Sequence, residues 1–111
     1  MHTLFATVAM ILLAASPLLS AASYKGQKIY IESCKECHGG GQAIAASKKQ
    51  REWAKIMDNN GDKLAQIHLN SKKAEASWPY FNSRTYTKNA KHLEDFLVEY
   101  AKDSGNVPAC N

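Results

Sequence analysis

No Asp, Glu, Lys or Arg occurs before Lys25 in this chain of 111 residues. That absence excludes a solvated, charged start, and what stands there instead is the almost wholly apolar run from Leu4 to Leu19, followed by the small residues Ser20-Ala21-Ala22. Such a run with such a flank is expected to be a secretory signal peptide, residues 1–22, cut after Ala22. The run is short and broken by Pro17, so no membrane insertion is expected after cleavage. Strand-like alternation and internal repeats are also lacking, which leaves an all-α reading with short helices joined by loops. Cysteine is scarce too, at three residues.

The remainder, residues 23–111, has room for one small domain with a short irregular tail from about Gly105. A piece of this size usually needs a staple, whether disulfides, a metal or a large cofactor. All charged side chains lie here, so the formal net charge of +4 belongs to it, with basic clusters at Lys48-Lys49-Arg51 and Lys72-Lys73. This balance suits docking onto acidic partner surfaces, and nucleic acid is not an expected partner outside the cytoplasm.

Gly26, Tyr30, Cys34 and Cys37 recur at helical spacing and share one face of a helix expected from Tyr24 to Cys37. Gly39-Gly40-Gly41 should stop it and open a flexible loop. A short helix over Lys49–Asp58 turns Trp53, Ile56 and Met57 inward, and Asn59-Asn60-Gly61 ends it with residues that tolerate positive φ. Beyond Asp62, Leu64, Ile67 and His68 share a face. From Asn70 to Lys88 no period is sustained, but Trp78, Pro79, Tyr80, Phe81 and Tyr86 make an aromatic loop that should cover something apolar. A last helix from about Asn89 or Ala90 to Ser104 has Leu93, Phe96, Leu97 and Tyr100 as its buried stripe.

Cys34-Lys35-Glu36-Cys37-His38 carries the chemistry. A C-x-x-C-H run is the attachment pattern of c-type haem: thiols one helical turn apart reach the two vinyl groups of one porphyrin edge, and the following histidine meets the iron from below. Cys34 and Cys37 are therefore the expected covalent sites for one haem c, and His38 its proximal iron ligand. Three blander readings compete. A thioredoxin-type site needs a βαβ pattern that is missing. A zinc site would have to be completed by Cys110 and another histidine, without the paired close spacings such sites show. A Cys34–Cys37 disulfide closes a minimal loop and constrains almost nothing.

With Gly26-x-x-x-Tyr30 ahead of the C-x-x-C-H run, and Phe96 and Tyr100 on the final helix, residues 24 to about 104 resemble the class I cytochrome c family, above all the small monohaem members of bacterial periplasms. The resemblance implies a few short helices wrapped around one covalently bound haem, terminal helices that cross near the glycine, and electron transfer among redox proteins after export to the periplasm. It implies a carrier, not an enzyme.

Two features depart from that family. Its members commonly have a proline after the signature whose carbonyl orients the proximal histidine, and here Gly39 to Gly41 stand in that place. They also place a methionine ligand ahead of the last helix, where this chain reads Ala76-Ser77-Trp78-Pro79-Tyr80-Phe81-Asn82. The iron's distal side is then open to His68, to Met57, to His92 or to no protein ligand, with His68 ranked ahead of Met57. Electron transfer is the first expectation for function; a five-coordinate haem protein binding a small gas or peroxide is the alternative. Arg84, Lys88, Trp53, Trp78 and Tyr80 are donors of the right type for the haem propionates. Cys110, left over after attachment, is a candidate for an intermolecular disulfide.

Overall fold

A Cβ added to Gly26 would overlap the His92 carbonyl oxygen and lie 2.7 Å from the Phe96 Cβ, so only glycine lets two backbones approach this closely. The helices that meet there are α1 (Leu18–Ser33) and α7 (Arg84–Glu99) of a computed structural model that describes residues 18–107, with side-chain packing from Ser23 onward. The leader up to Pro17 and Cys110 lie outside the described residues. A cut after Ala22 would start α1 at Ser23, whose side chain is 1% exposed.

Between the crossing helices run α2 (Lys35–His38), α3 (Gly41–Ala45), α4 (Gln50–Ile56), α5 (Asp58–Leu69), a 3-10 helix (Lys72–Ser77) and α6 (Trp78–Phe81). The described residues hold no strand, and the expected all-α class is what the chain forms. Among these residues no helix is long and apolar enough to cross a membrane.

Phe96 is the centre of the core at 0% exposed; it meets Tyr30 of α1 at 5.8 Å between ring centroids and Tyr100 at 5.5 Å. Burying a side chain of this size stabilises the fold by about 1.5–3 kcal/mol. Trp53, Met57, Phe81, Tyr86, Leu93 and Leu97 complete its large apolar members. Trp53 reaches the interior with its indole satisfied, donating Nε1–H to the Ala45 carbonyl at 2.9 Å.

Asn59, Asn60 and Gly61 take φ of 52°, 54° and 74°, a left-handed turn lying inside the span of α5. Asparagine and glycine are the residues that tolerate this region. The turn is anchored from α7, where the Tyr86 hydroxyl donates to the Gly61 carbonyl at 2.6 Å.

Three local expectations need correcting. The first helix does not run unbroken to Cys37: Cys34 (φ −124°, ψ −32°) separates α1 from α2. The glycine run opens no loop, because Gly41 starts α3 and is buried, with a space so tight that a Cβ would meet Phe96 Cζ at 2.9 Å. The last helix spans Arg84–Glu99 instead of Asn89 or Ala90 to Ser104: the Ser83 hydroxyl caps its start by accepting the Tyr86 backbone N–H at 3.3 Å, and Tyr100 closes its end. Tyr86 thereby joins the buried stripe instead of the aromatic loop.

Candidate cofactor site

Although Cys34 interrupts the helix, helical hydrogen bonds bridge the break: Cys34 N–H to the Tyr30 carbonyl at 2.8 Å, His38 N–H to the Cys34 carbonyl at 3.0 Å, and Gly39 N–H to the Lys35 carbonyl at 2.8 Å. Gly39 then turns left-handed (φ 77°) and ends α2, with its carbonyl accepting the Tyr30 hydroxyl at 2.6 Å. The core tyrosine therefore ties down the residue that follows His38. Cys34 is half-buried, whereas Cys37 and His38 are exposed.

The two thiols differ in consequence. Burial, and then the charge of Cys37, pushes the Cys34 thiol up to about 11. Since the thiolate is the reactive form, at pH 8 only about one Cys34 in a thousand is nucleophilic. Alkylation of the reduced, haem-free protein with iodoacetamide at pH 8, followed by peptide mass mapping, should label Cys37 at least tenfold faster than Cys34. Equal rates would contradict the burial of Cys34.

α5 brings His68 to face His38, with ring centroids 5.8 Å apart and ring planes at 79°. An imidazole nitrogen binds a transition metal at about 2 Å and its ring centre lies roughly 1 Å further back, so two imidazoles on opposite sides of one metal have centroids about 6 Å apart. The observed separation is of that size. His68 Nδ1 lies 2.8 Å from the Leu64 carbonyl. A carbonyl can only accept, so Nδ1 carries the proton and, in the neutral ring, Nε2 keeps its lone pair. This is the second-neighbour arrangement of metal-binding histidines, in which one nitrogen is held by a carbonyl and the other is free for the metal. Phe81 stacks on the ring at 4.3 Å and 26°, and the Trp78 indole N–H donates to the His68 carbonyl at 2.8 Å. The aromatic segment, expected to cover something apolar, is thus packed against the His68 imidazole.

Two cavities share the walls Cys34, His38, Ile67, His68 and Phe81. The inner one, about 310 Å³, continues among Trp53, Ile56, Leu64, Leu93 and Leu97 and is mostly apolar. The outer one, about 360 Å³, is bounded by Cys37, Ser71, Lys73 and Ser77. Ile67, 51% exposed despite its size, stands in both walls. The inner space begins at both histidines and at the half-buried Cys34 thiol, and its lining is of the apolar kind that a porphyrin face would need.

Met57 is placed elsewhere. It is 2% exposed, packed near Gly61 and Tyr86, and lines neither cavity. His92 also lines neither; it sits at the α1–α7 crossing, and its Nδ1 is buried without a hydrogen-bond partner. Of the expected propionate donors, Trp53 and Trp78 already donate their indole N–H to carbonyls, Tyr80 lines neither cavity, and Arg84 and Lys88 border a separate cleft beside Asn60. Sequence reasoning did not single out Phe81 as the ring that stacks on His68, nor Lys48 as a cavity wall. Phe81 lay in a segment without helical period, and Lys48 read as one more surface cation.

Among the described residues no three His, Cys, Asp or Glu side chains are grouped to hold a metal ion. Bare zinc needs three or four protein ligands of that kind, while a haem iron needs only one or two. Compared with family models, with curated proteins and with solved structures, the chain finds no match in any of the three.

Proposed function

We propose that this chain is a c-type cytochrome, carrying one haem fixed by Cys34 and Cys37 and held axially between His38 and His68, and that it moves single electrons after export to the bacterial periplasm. The observation that carries this reading is the His38–His68 pair at 5.8 Å, with Cys37 directly before His38, Cys34 one turn before it, and an apolar cavity alongside. The bound haem would supply a one-electron iron couple. Attachment would add each thiol across a vinyl group: a sulfur–carbon bond forms, the vinyl π bond breaks, and the thiol hydrogen ends on the neighbouring carbon, so no oxidant is consumed.

The remaining work falls to side chains. Leu64, Leu93, Leu97 and Phe81 exclude water from one face, which limits reorganisation around the iron. The Leu64 carbonyl and the Trp78 indole hold His68 in place. Two imidazoles set a lower potential than a methionine ligand would. Basic residues around the site suit acidic redox partners. The sequence offers no catalytic constellation beyond the haem signature, which favours a carrier over an enzyme.

The test is protein matured in a host able to attach haem c. One haem should stay with the polypeptide through acid–organic extraction, and the reduced spectrum should remain unchanged for minutes under carbon monoxide. Protein without a Soret band overturns the haem reading. Immediate carbon monoxide binding overturns bis-histidine ligation in favour of an open, gas- or peroxide-binding site.

A further inference from the structure

We infer that Lys48 is the residue that neutralises the haem propionates, an inference that rests on the haem reading above. A porphyrin attached through its vinyl groups directs its two propionates from the opposite edge, away from Cys34 and Cys37. Two carboxylates entering an apolar cavity need a cation or several hydrogen-bond donors. Lys48 is the one lysine or arginine among the walls of the inner cavity.

Its placement is fixed rather than incidental. The Lys48 carbonyl accepts the Lys102 backbone N–H at 2.9 Å, tying the connection between α3 and α4 to the chain that follows α7. The Lys48 ammonium lies 5.9 Å from the centre of the Trp53 ring, which holds a cation against the cavity wall. The neighbouring Ser47 hydroxyl donates its proton to the Ile44 carbonyl at 2.6 Å, and the Trp53 indole N–H is used by Ala45, so the ammonium is the donor left at this end of the lining. Lys73 is the competitor. It borders the outer cavity, which holds both attachment thiols, Cys34 and Cys37, whereas the inner cavity touches Cys34 alone and extends away from it among Trp53, Leu93 and Leu97. Lys48 comes from a segment that contributes neither thiol nor axial ligand.

A carboxylate beside an ammonium ionises about 1–3 pH units lower than it otherwise would. The experiment is a spectroelectrochemical titration of haem-loaded wild type, Lys48→Gln, Lys48→Arg and Lys73→Gln between pH 4 and pH 9. In the wild type the propionates stay ionised near neutrality and the reduction potential is flat there. Lys48→Gln should lower the potential and move its pH-dependent step upward by at least about one pH unit. Lys48→Arg should keep the wild-type profile, and Lys73→Gln should leave the step where it was. A step that stays put in haem-loaded Lys48→Gln, or that moves in Lys73→Gln instead, overturns the inference and leaves the haem reading intact. A wild type that takes up no haem overturns that reading and this one with it.

Discussion

Haem-loaded His68→Ala, once reduced, should bind carbon monoxide about 100-fold faster than the wild type, because a closed site that opens only one time in a hundred slows a ligand by that factor. A ratio of 100 corresponds to about 2.7 kcal/mol holding His68 on the iron. The geometry supplies reasons for a hold of that size. The ring is oriented by the Leu64 carbonyl at 2.8 Å and stacked on Phe81 at 4.3 Å, so little rotamer freedom is lost when Nε2 takes up a bond. The ferric spectrum of the variant should change from low-spin to high-spin at the same time. Stopped-flow mixing with carbon monoxide gives the rate, and optical or paramagnetic resonance spectra give the spin state.

The comparison that decides the ligand is Met57→Leu. Leucine conserves volume at a buried position and costs under about 1.5 kcal/mol, so the variant should fold. Met57 packs beside Gly61 and Tyr86, and its replacement should leave the spectrum and the carbon monoxide rate unchanged. If Met57→Leu opened the site and His68→Ala did not, the pairing of His38 with His68 would have no part in iron binding.

What the residues disclosed in advance follows from how local each signal is. The left-handed Asn59-Asn60-Gly61 turn depends on a few consecutive residues and was legible. The inward side of α5 was legible in part: Leu64 and His68 lie one turn apart and are half-buried, whereas Ile67, expected on the same face, is 51% exposed. The start of α7 was missed because the cap at Ser83 is weak beside four nearby aromatics, and Tyr86 reads equally well in a loop or on a stripe. The helix at Gly41 was hidden for another reason. Gly41 lies tightly against Phe96, fifty-five residues further along, and no local preference signals such a contact. The same holds for Lys48: its neighbours in sequence are cations and its neighbours in space are Trp53 and a cavity.

The second large effect concerns that same crossing. Gly26→Ala places a methyl group against the His92 carbonyl and 2.7 Å from the Phe96 Cβ, whereas ordinary contacts of this kind need about 3.5–4 Å. Backbone cannot rotate aside as a side chain would, so α1 and α7 must separate. Alanine is the better helix former by about 1 kcal/mol, but overpacking costs about 1–3 kcal/mol and more where backbone must move, so the clash wins. In a domain of this size each kcal/mol is worth about 4–8 °C, and the melting temperature of the haem-loaded protein should fall by about 10 °C or more. Gly105→Ala is the control: that glycine also has a special backbone, at φ 76°, but a Cβ there meets nothing within 4 Å, so it should cost only about 1–2 kcal/mol. Thermal unfolding followed by circular dichroism compares the two, and a Gly26→Ala protein as stable as Gly105→Ala would remove the crossing from its central place. The consequence reaches the site itself. Tyr30 both packs on Phe96 at the crossing and donates to the Gly39 carbonyl behind His38, so helices forced apart also release the histidine that His68 must face.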